Sequence, residues 1–496
     1  MTAVEIPSPA AGEPPAAEPR AARAAGITLV GQALRIVIQF GSIVLLARLL
    51  LPEDYGLLAI VLVVVGIGEI VRDFGLSTAA IRAPELPRST RDALFWINTG
   101  IGAALCLVVV ASSGLLAGLF DRPALSGIAC ALAGTFVLNG MATQFRVTLT
   151  REMRFRPLVT ADVLAQAAGA GSAIVLAVAG AGYWALVAQQ LVQATVALVL
   201  VAVPAGWAPG RPRRTPGLRP FLTLGLHLVG TQLVNYAGNN VDTVTIGLRL
   251  DPAALGLYNR GFQLLMTPLN QLRSPATAVA LPVLARLQGD RERFDEYLRR
   301  GQLALGLPIV VTLGVVVGAA EPLVQLFLGP RWSEVTPILA LLAVAAASQT
   351  LAFVGLWTYL TRGLGTQLLR YTVGTALLRL VCVLAGSSWG VVGVAAGYAL
   401  AAFLEWPLSL WWLSRITPFP GRALAGGAAR ILACAVPAGV AARLVCLFAN
   451  PLPLAVQLLL AGLAGAAVMA VLAVASRRIR EDLGGVLAFG RSMVRR

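Results

Sequence analysis

The chain has 496 residues, 57% of them hydrophobic and 12% charged, with a mean hydropathy of +0.79. A water-soluble fold of that composition would expose more apolar surface than soluble proteins tolerate, so the sequence specifies an integral membrane protein. The 39 basic residues are all arginine, the net charge is +16 and His227 is the one histidine, which excludes P-loop nucleotide motors, Schiff-base lysines and HExxH metalloprotease sites.

Residues 1–25 are rich in Pro, Ala and Glu without an apolar signal region, and are expected to form a disordered tail. From there apolar stretches of the ~20 residues needed to span a bilayer recur with short polar breaks. They predict an all-α polytopic membrane protein of about fourteen helices, at 26–50, 55–81, 92–119, 124–149, 157–180, 182–206, 221–248, 253–285, 301–319, 333–360, 367–386, 389–413, 424–448 and 452–476. The five cysteines all fall in apolar stretches and never as CxxC, so no disulfide framework is expected. Neither a cofactor nor a metal site is expected.

The loops after even-numbered helices, with both tails, hold 27 arginines, against four in the opposite loops (Arg48, Arg122, Arg249 and Arg331). That split is what the positive-inside rule produces, so both termini are expected on the cytoplasmic side. It also accounts for most of the net charge without a nucleic-acid partner.

A repeat follows from two patches. Gly26 to Gln32 resembles Gly225 to Gln232, and Pro52-Glu-Asp-Tyr-Gly56-Leu57 resembles Pro252-Ala-Ala-Leu-Gly256-Leu257. Six helices separate the copies, so both enter the membrane in the same direction, predicting two six-helix lobes related by a pseudo-twofold along the membrane normal. The expected division is an N-lobe at 26–206, a cytoplasmic linker at 207–220, a C-lobe at 221–414, an appended helix pair at 424–476 and a basic tail at 477–496.

Charged groups within spans are costly, ~2.5–3.5 kcal/mol each at a helix centre, and default to functional candidates. On the first helix Gln32, Arg35, Gln39 and Ser42 form one stripe; on the seventh, Gln232, Asn235, Asn239 and Asp242 repeat it 200 residues on. The second helix adds Glu69, Arg72 and Asp73, and the eighth adds Arg260, Gln263, Thr267, Asn270 and Arg273, with Pro268, Pro275 and Pro282 expected to kink it. These stripes predict one central cavity lined by Gln32, Arg35, Gln39, Arg72, Asn235, Asn239, Arg260, Gln263, Asn270 and Arg273. Arg35, Arg260 and Arg273 lack a local acid, and surplus guanidinium suits phosphate, which it binds through paired hydrogen bonds. Glu69, Asp73 and Asp242 are the ion-coupling candidates. His227 reads as a packing residue, and Trp406, Trp411 and Trp412 as an interfacial belt.

The stretch Ala47-Arg48-Leu-Leu-Leu-Pro52-Glu53-Asp54-Tyr55-Gly56-Leu57, followed by Asp73-Phe74-Gly75-Leu76, Arg151-Glu152-Met153-Arg154-Phe155 and Gly182-Tyr183-Trp184-Ala185-Leu186-Val187, resembles the Wzx-type polysaccharide flippases of the polysaccharide transporter family. The resemblance implies the fourteen-helix, two-lobe fold of the multidrug/oligosaccharidyl-lipid/polysaccharide exporter superfamily. It also implies a non-enzymatic flippase that moves polyprenyl-pyrophosphate-linked oligosaccharide from the inner to the outer leaflet by alternating access, with membrane lipids and a glycan polymerase or export machinery as partners. The absence of lysine departs from many relatives, but arginine supplies the charge. Two alternatives are a membrane-embedded glycan polymerase, ligase or glycosyltransferase, disfavoured by short outer loops and no DxD, and a small-molecule antiporter of the same superfamily, which would not need so many intramembrane arginines.

Overall fold

The computed structural model describes residues 17–73, 75–83, 85–211, 229–230, 232–233 and 236–494, and all regular structure among them is helical. In chain order the helices are α1 (Ala17–Leu49), α2 (Pro52–Asp73), α3 (Leu76–Arg82), α4 (Arg88–Leu119), α5 (Ala124–Arg151), α6 (Phe155–Val178), α7 (Tyr183–Ala205), α8 (Val241–Arg249) and α9 (Pro252–Arg286). They continue with α10 (Arg291–Gly318), α11 (Ala320–Phe327), α12 (Val335–Thr361), α13 (Gly365–Gly386), α14 (Gly390–Ile416), α15 (Gly421–Phe448), α16 (Leu454–Ala475) and α17 (Arg477–Val494).

Eleven segments among the described residues are long and apolar enough to cross a membrane. One of these, Gly365–Ile416, is two helices broken at Ser387–Trp389. α9 is long enough but too polar to count, since it carries three prolines and two central arginines yet remains one helix. The seventh expected span is described only in part. The second expected span is α2 plus α3, divided where Gly75 takes a left-handed conformation, φ 62°, that a side chain disfavours. The helix that opens the chain starts at Ala17, within the segment expected to be a tail, and the basic C-terminal segment is itself helical.

The same packing scheme appears in both halves. In the first, α4 lies on α5, α5 on α7, α6 on α7, α1 on α6 and α2 on α5; in the second, α10 lies on α12, α12 on α14, α13 on α14, α8 on α13 and α9 on α12. The halves therefore form two lobes with the same packing scheme, and α2 against α9 is the main contact between them.

Local chemistry fixes that contact. Pro52 and Pro252 each occupy the first position of a helix, where a missing N–H costs nothing. Asp54 accepts from Leu51 N at 2.9 Å, and Asp251 caps α9 by accepting from Ala254 N at 2.6 Å. A methyl group on Gly56 would collide with the Pro252 carbonyl, and one on Gly256 with the Pro52 carbonyl. This reciprocal contact marks the pseudo-twofold at the arginine-poor end of the bundle.

More links close that end. Trp332 Nε1 donates to Ala47 O at 2.7 Å, Arg48 to Leu326 O at 2.6 Å, and Phe40 meets Phe327 edge-on with ring centroids 5.1 Å apart. The last two spans are not a loose appendage. Side chains at Gly314 or Gly318 on α10 would strike the backbone carbonyls of Ala435 and Gly439 on α15, a small-residue contact that lets backbones approach where no hydrophobic effect drives them together.

Candidate functional site

Between the lobes lies a polar cavity of about 350 Å³. α1 contributes Arg35, Gln39 and Ser42 to it, spaced so that they share a face, and α9 contributes Arg260, Gln263 and Thr267. The remaining polar wall comes from Gln166 on α6 and from Gln189, Gln190 and Gln193 on α7; Ile43, Leu46, Leu58, Leu62, Ala170 and Leu186 complete the lining. None of the lining residues is acidic.

The four glutamines from α6 and α7 are absent from the sequence expectation, which followed charges and repeated stripes. The i, i+1, i+4 spacing of Gln189, Gln190 and Gln193 was the available signal. Their position depends on Gly169 of α6, whose bare Cα allows the Gln189 carbonyl and the Gln193 Cβ to approach closely.

The two cavity arginines are held differently. Arg35 reaches Asp162 at 3.5 Å and Gln166 Oε1 at 3.4 Å, so it does have an acid nearby, contrary to expectation. Asp162 lies closer to Arg146, at 2.7 Å, so one carboxylate serves two guanidinium groups. Among the described residues Arg260 has no carboxylate partner. It is 6% exposed, its guanidinium lies 3.5 Å from the Tyr55 ring centroid, and its Nε has no hydrogen-bond partner. A cation over an aromatic face in a desolvated site gains ~2 kcal/mol, less than a full counter-ion would supply.

The other expected lining residues lie elsewhere. Gln32 and Asn270 continue the α1 and α9 stripes one turn towards the arginine-rich end, outside the cavity wall, and Asn270 is exposed. Arg72 faces the interior of the N-lobe, donating to Glu69 at 2.7 Å and to Thr143 at 2.7 Å, while Asn139 donates to the other Glu69 oxygen; Asp73 accepts from Ser77. Arg273 has turned to the far side of α9, where it donates to Ala346 O and to Thr350 between α9 and α12. Each lobe thus ties its second helix to its fourth by an arginine-to-threonine bond, but only the N-lobe adds a carboxylate. Asn235 and His227 lie outside the described residues.

Asn239 and Asp242 belong to a separate polar cluster inside the C-lobe. Arg379 grips both Glu405 oxygens at 2.8 and 2.9 Å and reaches Asn239 at 3.5 Å, while Tyr258 donates to Asp242 at 2.5 Å. Among the described residues no group of His, Cys, Asp and Glu is placed to hold a metal ion.

A second cavity of about 350 Å³ lies on another side of α1 and α9, and apart from Thr312 its walls are apolar, among them Phe40 of α1, Leu264, Pro268 and Leu272 of α9, and Ile309 and Val316 of α10. Phe40 follows Gln39 and Pro268 follows Thr267, so α1 and α9 separate a polar chamber from a greasy groove. Leu272, 62% exposed, marks the groove's opening towards the bundle surface.

Residues 45–337, more than half the chain, match the model of a family described as polysaccharide biosynthesis protein. The chain belongs to that family. It is 26% identical over 396 residues to the lipopolysaccharide biosynthesis protein WzxC of Escherichia coli, covering 75% of this chain and 77% of that one. It is 25% identical over 311 residues to the succinoglycan biosynthesis transport protein ExoT of Rhizobium meliloti, covering 62% of each. Among solved structures the lipid II flippase MurJ in an inward closed conformation superposes with a TM-score of 0.69 at 13% identity, over 89% of this chain and 98% of that one, which establishes a common fold. The chain is a multi-pass membrane protein of a polysaccharide biosynthesis family, and it shares its fold with MurJ.

Proposed function

We propose that this family member is a flippase for polyprenyl-pyrophosphate-linked oligosaccharide, moving it from the cytoplasmic to the outer leaflet of a bacterial inner membrane. The supporting observation is the two-faced character of α9. Its Arg260, Gln263 and Thr267 enter a polar chamber, while Leu264, Pro268 and Leu272 enter an apolar groove on the same helix. An amphiphile with a charged, hydroxylated head and a long hydrocarbon tail is the ligand that matches both.

In this reading Arg260 and Arg35 hold the diphosphate, the glutamine wall meets sugars, and the groove leaves the prenyl tail in lipid. The arginine-rich end faces the cytoplasm. The closed arginine-poor end would open as residues 26–206 and 221–414 rock as lobes and the Gly56 and Gly256 corner parts. In the C-lobe cluster Asp242 and Glu405 face the single cation Arg379, which makes Asp242 the candidate for coupling to an ion gradient. A glycan polymerase and export machinery would receive the flipped repeat units.

The test is translocation of lipid-linked oligosaccharide in proteoliposomes. Arg35→Ala combined with Arg260→Ala should reduce transport at least tenfold in protein that still folds. Normal transport by that double variant would reject the assignment. Transport indifferent to imposed proton and sodium gradients would remove the role given to Asp242.

A further inference from the structure

The cavity's glutamine wall is one-sided. α7 and α14 are matching helices of the two lobes, each entered through a glycine of positive φ, Gly182 at 55° and Gly390 at 72°. Counting from those glycines, Gln189, Gln190 and Gln193 correspond to Gly397, Tyr398 and Ala401. The pseudo-symmetric scaffold therefore carries an amide-rich surface in the N-lobe that the C-lobe does not reproduce.

Two of those amides are free. Gln166 bonds Arg35 and Gln189 donates to Ser42 at 3.4 Å, whereas Gln190 and Gln193 have no hydrogen-bond partner among the described residues and face the cavity space. A primary amide offers two donors and an acceptor, and these half-buried side chains present theirs to whatever fills the cavity. A sugar's hydroxyl or acetamido group satisfies both sides of the amide at once.

Charge narrows the ligand further. Arg35 and Arg146 share Asp162, leaving one positive charge, and Arg260 adds a second without a counter-ion. A diphosphate esterified at both ends carries about two negative charges, which this surplus matches. A further carboxylate on the adjoining sugar would have no cation left to meet it.

We propose that Gln190 and Gln193 are specificity-determining residues that read the sugar joined directly to the diphosphate, and that this sugar is uncharged and bears hydroxyl or acetamido groups. The proposal rests on the flippase reading given above. In that arrangement the C-lobe's α9 and the N-lobe's α1 hold the phosphates, and the N-lobe's α7 does the discriminating.

Binding to purified protein in nanodiscs separates the two claims. Three probes of one prenyl length are needed: the methyl diphosphate diester, the diphospho-N-acetylglucosamine and the diphospho-glucuronate. The intact protein should bind the N-acetylglucosamine probe at least tenfold more tightly than the methyl probe and at least fivefold more tightly than the glucuronate. Gln190→Leu with Gln193→Leu should reduce the tenfold preference to below twofold, and Gln190→Ala and Gln193→Ala alone should give intermediate ratios. Arg260→Met should weaken all three probes and keep the ratio. A preference for the glucuronate, no preference over the methyl probe, or an unaltered ratio in the double leucine variant overturns the inference while leaving the flippase reading standing. Failure of the intact protein to bind any of the three overturns both.

Discussion

Arg260 is costly to the fold. Buried over Tyr55 with an unsatisfied Nε and no carboxylate, it sits where a side chain of similar length without charge would be easier to accommodate. Arg260→Met is therefore expected to raise the thermal unfolding temperature while lowering transport more than tenfold, a trade-off characteristic of a residue retained for function. Arg379 makes the opposite case. It is chelated by Glu405, and Arg379→Ala should destabilise the protein by about 3–5 kcal/mol because it leaves that carboxylate uncompensated. Thermal unfolding of the two variants in one detergent checks both signs. Spacing alone indicated Arg35, Gln39, Arg260 and Gln263, because a stripe on one helix must face one direction. It misled at Arg72 and Arg273: a sequence shows that an arginine lies within a span but not whether its neighbour is a cavity or a threonine on the next helix. The glutamines of α7 were overlooked for a related reason. They carry no charge, and their counterparts in the other lobe are Gly397, Tyr398 and Ala401, so neither the electrostatic argument nor the repeat pointed to them.

Among the elements, hydropathy and loop arginines placed the spans well because a bilayer demands a minimum apolar length and the positive-inside rule supplies parity. The exceptions are instructive. α9 is less apolar than the other long helices because it carries the polar residues that line the chamber, so the helix that contributes most to the proposed site least resembles a membrane span. The C-terminal segment, expected as a plain basic tail, forms α17, with Ile479 and Asp482 buried and Asp482 paired to Arg430 of α15 at 2.7 Å. Its amphipathic pattern was present in the sequence, but a surface helix with many arginines resembles a tail until its apolar side is given something to cover. Asp482→Ala should release this brace. Trypsin cleavage at Arg477, Arg478 and Arg480 should then accelerate severalfold, measured by intact-mass analysis over time. Gly314→Leu should separate α10 from α15 and lower stability by about 3 kcal/mol or more, since the obstruction is a backbone carbonyl that cannot rotate away.

At the scale of the whole molecule, the 27-to-4 division of arginines between the two sets of loops and tails in the sequence predicts an orientation that labelling can test. In a cysteine-free background, Asn450→Cys in the short turn between α15 and α16 should react with a membrane-impermeant maleimide added to intact spheroplasts. Gly289→Cys, between α9 and α10, should react only after lysis. The reverse pattern would invert the proposed direction of transport. The two-lobe plan was visible in the Pro52 and Pro252 segments, whereas the seal at the arginine-poor end was not, because Trp332, Ala47, Arg48 and Leu326 are far apart in the chain and meet only once the lobes have docked.

The reciprocal resting of Gly56 on Pro252 and of Gly256 on Pro52 has a consequence for ancestry. Each copy of the duplicated segment is moulded to the other, so neither is free to drift alone, and the four positions should be inherited as a matched set. A chimaera whose two halves were mismatched at these positions would fail first at this corner, even when every helix in it is intact.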